Sequence, residues 1–295
     1  MRRRAAMTAW VLTSALALAA NAGCGWLGLR SHDEKPPATA QQLERIQQIS
    51  EMAQAAVDRG DYEQARLDLV NLVNAEPDSA EALQRLGTVL RLQGRSAEAE
   101  ACFHAALARD HDYVEAMLGL GQIEAERGDT ATALKRFELA ISIDPRRPRA
   151  HYLLGRVREE IGQTDEALAS YFRALEFDSN NTEAILRVAA IQLGRRQPEQ
   201  ALSRLDQAVE LAPTNGEALA LRGVAHWRLN HLSEAVADLR DAAKRLPRRP
   251  DIYYELALVL EAAQKRSEAR TAAEHALRLA PSDSAVRELS ARLRR

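Results

Sequence analysis

The chain has 295 residues, with 40 Lys+Arg against 42 Asp+Glu and a formal net charge of −2. That balance lacks the basic excess of a nucleic-acid-binding domain. At 46% hydrophobic and 28% charged residues it is neither a disordered chain nor a polytopic membrane protein. Aromatics make up only 4%, and Ala, Leu, Glu and Arg abound, so an all-helical chain is favoured over a β-sandwich. The two cysteines, Cys24 and Cys102, are too few for a disulfide scaffold or a four-thiolate zinc site.

The first segment reads as an address. Arg2, Arg3 and Arg4 are followed by no charge until Arg30, and Trp10 to Ala20 is apolar and small. A basic stretch followed by an apolar one is the pattern of a secretory signal, expected over 1–23. Three outcomes stay open at its end. Ala20-Asn21-Ala22 is an Ala-x-Ala cleavage site. Ala22-Gly23-Cys24 resembles the end of a bacterial lipobox, with Asn21 where that motif usually has Leu, and the resemblance implies lipidation of Cys24. Ala5 to Leu29 is also long enough to span a bilayer uncleaved. In each case the arginines stay on the cytoplasmic side, and the rest of the chain is expected outside the cytoplasm. Residues 24–45 read as a polar linker, with Pro36 and Pro37 in it.

The remainder, 46–283, repeats with a period of 34. Pro77, Pro145, Pro213, Pro247 and Pro281 keep that spacing, with His111 and Ser179 at the two intervening places. Ala65, Ala99, Ala133, Ala167, Ala201, Ala235 and Ala269 form a second column. Ala53, Gly87, Gly121, Gly155, Ala189, Gly223 and Ala257 form a third. Leu72, Ala106, Ala140, Ala174, Ala208, Ala242 and Ala276 form a fourth. Each copy carries two helical patterns. In the third, 114–126 is predicted as the first helix and 130–143 as the second, with Arg127-Gly128-Asp129 as the turn. Asp144-Pro145 ends the pair, because a residue before proline leaves the helical region. The Gly and Ala columns let paired helices approach closely. Phe103, Phe137 or Tyr171 then fills the space one turn away. Residues 284–295 are predicted to form a polar capping helix.

These columns resemble the tetratricopeptide repeat. The second copy supplies Leu83, Leu86, Gly87, Ala99, Phe103 and Ala106 at the family's positions. The fourth supplies Leu154, Gly155, Ala167, Tyr171 and Ala174, with His151 and Ser179 as departures. The resemblance implies an all-α fold, an α-solenoid of about seven helix-turn-helix repeats wound into a right-handed superhelix. It also implies a concave face that binds a protein or peptide, lined by the second, fifth, ninth, twelfth and thirteenth residues of each copy. Helical spacing independently puts Arg149, Tyr152, Arg156 and Glu159 on one stripe in the fourth copy. In the sixth and seventh copies the corresponding stripe has Ala220, Val224, Trp227, Tyr254 and Leu258. An Arg and Tyr face suits a carboxylate or a peptide bond, and a Trp, Tyr and Leu face suits an apolar side chain. Packing between neighbouring repeats is an equal reading of Trp227 and Tyr254. The Lys and Asn pair with which some members hold a chaperone's C-terminal carboxylate is missing; Tyr152 and Arg156 take those places in the fourth copy.

No chemistry is expected of the chain itself. Gly119-Leu120-Gly121 falls inside a predicted helix with no strand before it, so close packing explains it better than a nucleotide. His151 and His226 stand two repeats apart, too far to share a metal, and Cys102 reads as a small core residue. No cofactor, metal or nucleic acid is expected. The expected function is a non-catalytic scaffold, membrane-anchored in a bacterial cell envelope, that helps assemble an envelope complex. The alternative is a substrate-recruiting accessory subunit of a glycosyltransferase or peptidoglycan-processing complex.

Overall fold

A computed structural model describes residues 39–294. The leader, including Cys24, lies outside the described residues. Within them there are fifteen helices and no strand. In chain order they are α1 (Ala40–Asp58), α2 (Tyr62–Ala75), α3 (Ala80–Leu92), α4 (Ser96–Arg109), α5 (Val114–Glu126), α6 (Thr130–Ile143), α7 (Pro148–Glu160) and α8 (Thr164–Phe177). They continue as α9 (Thr182–Gly194), α10 (Pro198–Leu211), α11 (Gly216–Arg228), α12 (Leu232–Arg245), α13 (Pro250–Ala262), α14 (Arg266–Leu279) and α15 (Ser284–Arg294). From α3 onward the first helices of successive repeats begin 34 residues apart, and so do the second helices from α2. The α-solenoid expected from the columns is the fold that forms.

The helix ends explain the register. Asp61, Ser79, Asp129, Asn181 and Asn215 each accept a backbone N–H from the first turn of the helix that follows. Pro148, Pro198 and Pro250 open α7, α10 and α13, where a missing N–H leaves nothing unsatisfied. Between the two helices of a repeat, one residue always takes a left-handed backbone. It is Gly60, Gly94, Gly128 and Gly162 in the first four copies, then Arg196, Asn230 and Gln264. The next N–H then donates to the carbonyl five residues back, as in Asp61 to Ala56 and Gln197 to Gln192. This is the hydrogen bond that closes a helix with a left-handed cap.

At the first helix the boundary differs from expectation. α1 starts at Ala40, so 40–45, expected in the linker, are helical. The reason is a reciprocal cap: Thr39 N–H donates to Gln42 Oε1 at 2.8 Å, and Gln42 N–H donates to Thr39 Oγ1 at 3.3 Å. Among the described residues, no helix is long and apolar enough to cross a membrane.

Residues from Ile46 onward pack as one continuous stack. From α2 onward each helix lies against its neighbours in the chain. The alanine column is fully buried from Ala65 to Ala269. Phe103, Phe137 and Tyr171 are also buried to within 1%. Burying a ring of this size stabilises by roughly 1.5–3 kcal/mol. The glycines make room for them. A Cβ on Gly155 would sit 2.7 Å from the Tyr171 ring and 3.2 Å from the Ala167 carbonyl oxygen. Gly119 and Gly121 do the same for Phe103 and Phe137, so the pair of glycines inside α5 serves packing. At the C-terminus, α15 buries Val286, Leu289 and Leu293 and leaves Arg287, Glu288, Arg292 and Arg294 exposed.

Candidate interaction surface

The first helices of neighbouring repeats touch one another: α3 meets α5, α5 meets α7, α9 meets α11 and α11 meets α13. Among the described residues no comparable contact joins second helices. The first helices therefore sit on the tighter, inner side of the curve. The residues they turn to that side change in character along its length. In repeats three and four it offers Glu115, Gln122, Glu126, Arg149, Arg156 and Glu160. In repeats five to seven it offers Ala190, Leu193, Ala220, Val224, Tyr254 and Leu258.

Each half holds a hollow. The smaller, about 210 Å³, lies between Gln122, Ala125 and Glu126 on α5 and Leu153, Arg156, Val157 and Glu160 on α7, with Phe137 below. The larger, about 350 Å³, lies among α9, α11 and α13. Its apolar wall includes Ala190, Leu193, Ala220, Leu221, Val224 and Ile252. Glu217, Arg228, Arg249, Asp251 and Glu255 bring charge to it. Most of that charge is already matched. The Arg249 guanidinium donates to both Asp251 oxygens at 2.9 and 2.6 Å, which holds the Asp251 carboxyl below the usual carboxylate range. Arg228 donates to the Leu193 carbonyl. Glu255 is the exception: its Oε2 is buried with no hydrogen-bond partner among the described residues. Burial pushes its carboxyl above the ordinary value, against the opposing pull of Arg228.

The residues singled out in sequence are divided by the structure. Arg149 is exposed, 3.5 Å from Glu115 Oε2, and donates to Gln122 Oε1 at 3.3 Å. Arg147 pairs with the same Glu115. Arg156 is exposed and lines the smaller hollow. Tyr152 is half-buried, its ring centroid 5.8 Å from that of Tyr171, and burial pushes its hydroxyl pKa up. Glu159 is turned to the interior: its Oε2 accepts from the Tyr171 hydroxyl at 2.6 Å. Burial and that bond raise the Tyr171 pKa. Trp227, Tyr254 and Leu258 are half-buried against the core around Leu239, Ile252 and Leu256, and none of them lines the larger hollow. Its wall takes in Ala220 and Val224 from the expected stripe, together with Leu193, Arg228 and Glu255, which the sequence does not single out. The same five-position rule, applied to the fifth copy, points to Ala190 and Leu193. Glu255 was findable only as a charge where the sixth copy has Leu221.

Other reactive side chains are engaged in packing. His151 Nε2 lies 2.8 Å from the Pro145 carbonyl, and its ring stacks on Phe177 with centroids 5.6 Å apart. His226 Nδ1 lies 3.4 Å from His231 Nδ1. Cys102 is buried, which pushes its thiol up to about 11. Among the described residues no three His, Cys, Asp or Glu side chains converge as metal ligands would.

Three family models described as tetratricopeptide repeat match residues 78–146, then 124–191 and 162–225, then 50–101 and 221–284. Together they run without a gap from 50 to 284, and the chain belongs to the tetratricopeptide repeat proteins. No curated protein matches the sequence. Among solved structures, a chain of the APC/C hetero-tetramer Cut9–Hcn1 is similar over 82% of this chain at 16% identity, with a TM-score of 0.71. This chain spans about half, 48%, of that one. YrrB, described as a tetratricopeptide protein with an unusual peptide-binding site, is similar at 20% identity with a TM-score of 0.53, over 63% of this chain and 96% of its own. A tetratricopeptide repeat protein from Parabacteroides merdae is similar at 18% identity with a TM-score of 0.53, over 85% of this chain and 100% of its own. At these identities the likeness speaks to the fold.

Proposed function

We propose that this protein is a non-catalytic interaction scaffold that holds an extended segment of another protein along its inner face. The observation that carries this reading is the hollow of about 350 Å³ among α9, α11 and α13. It is largely apolar, rimmed by charge, and lies within the size range of pockets that hold ligands. The polar face of repeats three and four continues the track and suits the backbone and polar side chains of the same segment. YrrB's description as peptide-binding supports the reading by analogy of fold.

We further propose that the leader holds the scaffold at a membrane, with the repeats on the far side from the cytoplasm, in the envelope of a bacterium. The support is the arginine-then-apolar pattern ending at Cys24. Assembly of an envelope complex is the role that fits an anchored binding surface. Two experiments test the two halves. Metabolic labelling with a fatty acid should mark the wild type and not Cys24→Ala; an unlabelled wild type removes the lipid anchor. Selection of a random displayed peptide library on the full-length chain should yield binders that Val224→Glu abolishes; binders indifferent to that change remove the groove.

A further inference from the structure

The occupant of the larger hollow can be specified further from the charges in its wall. Two arginines and three carboxylates face it. Arg249 and Asp251 hold each other, and Arg228 directs one N–H to the Leu193 carbonyl rather than to Glu255. Glu217 stands exposed at the rim. What remains inside is Glu255, with one oxygen out of water and nothing donating to it. An unpaired buried carboxylate is costly, and a donor brought by a ligand removes that cost. The surfaces leading to it are Ala190, Ala220, Leu221 and Val224, which are aliphatic and small.

We propose that this hollow takes a lysine or arginine side chain of a bound peptide, with the aliphatic stem lying on Ala220, Leu221 and Val224 and the cationic head donating to Glu255. Long basic side chains combine an apolar stem with a charged tip, so one residue matches both parts of the wall. A charge-assisted bond to a carboxylate withdrawn from water is stronger than one at an exposed site. A ligand carboxylate is the poorer match, because three carboxylates against two arginines leave the wall net negative. Burial with no cation in hydrogen-bond contact also accounts for the raised Glu255 pKa, and a bound cation would bring it down. The inference rests on the groove reading and adds the chemistry of the anchor to it.

The test uses a phage-displayed library of random peptides selected on the full-length chain. The selected sequences should share a basic residue beside an aliphatic one. Replacing that basic residue with norleucine, which keeps the stem and removes the charge, should weaken binding to the wild type by roughly tenfold or more. Against Glu255→Gln the same replacement should matter by less than about threefold. Selected peptides that lack a basic residue would overturn the inference and leave the groove reading intact. So would a norleucine penalty equal in both proteins, or a shared acidic residue. If no peptide is selected, or if the binders survive Val224→Glu in a chain that keeps its helicity, the groove reading falls and the inference falls with it.

Discussion

Arg222 occupies the core column filled by Leu86, Leu120, Leu154, Val188 and Leu256 in other copies, and Asp238 grips it with both carboxylate oxygens at 2.7 and 2.8 Å. Asp206 adds a longer contact at 3.3 Å. Asp238 is 8% exposed, so the pair has been taken largely out of water. Removing one partner strands the other. Arg222→Leu should cost about 3 kcal/mol, the usual loss when one partner of a buried pair is removed. Arg222→Leu with Asp238→Ala restores the seventh copy's combination, Leu256 with Ala272, and should return to within about 1 kcal/mol of the wild type. Urea unfolding of the singles and the double measures this. A double variant as weak as the single would show that the ion pair was not the issue.

The left-handed turn offers a route to stabilisation. Arg196 and Gln264 adopt φ of 59° and 60°, where four other copies place glycine. A side chain in that conformation costs on the order of 1–2 kcal/mol, part of which glycine returns through its freer unfolded chain. Arg196→Gly and Gln264→Gly should each raise the melting temperature. Asn230→Gly should gain less, because asparagine tolerates this backbone. Calorimetry on the three variants decides it, and a loss at Gln264→Gly would contradict the cap assignment.

The alanine column is set by space. Ala167 is fully buried on α8, with its carbonyl where α7 passes Gly155. Ala167→Leu should overpack the pair and cost about 1–3 kcal/mol. Retained stability in a denaturant titration would mean that the two helices can move apart freely.

Glu255 gives a pH signature. Its folded pKa lies above its unfolded one because burial penalises the charge. Stability from this group is therefore full at low pH and is lost as pH rises through the folded pKa. Glu255→Gln should raise the melting temperature at about pH 8 and change it little at about pH 4. An equal shift at both pH values would assign the effect to packing.

Much of this fold was legible because the period is strict. The spans 114–126 and 130–143, read from spacing alone, match α5 and α6. Side-chain partnerships were less legible. Glu124 falls on the same helical stripe as Leu120 and Gly121, and Arg136 holds it from the next helix with bonds of 2.5 to 2.9 Å. The turn column escaped notice because its residue type changes while its conformation does not. At the candidate site, the family resemblance points to Arg156 and Val224 as residues of the inner face. It could not show that Glu159 answers Tyr171 inside the stack, since that depends on which neighbour reaches it first. Nor could it show that Glu255 lacks a partner.

Methyl spectra of the full-length chain, recorded with and without a selected peptide, test the central claim most directly. The account predicts shifts at Leu193, Leu221, Val224 and Ile252 around the hollow, with quiet methyls at Leu139 and Leu211 on the second helices. Shifts confined to the second helices would contradict it.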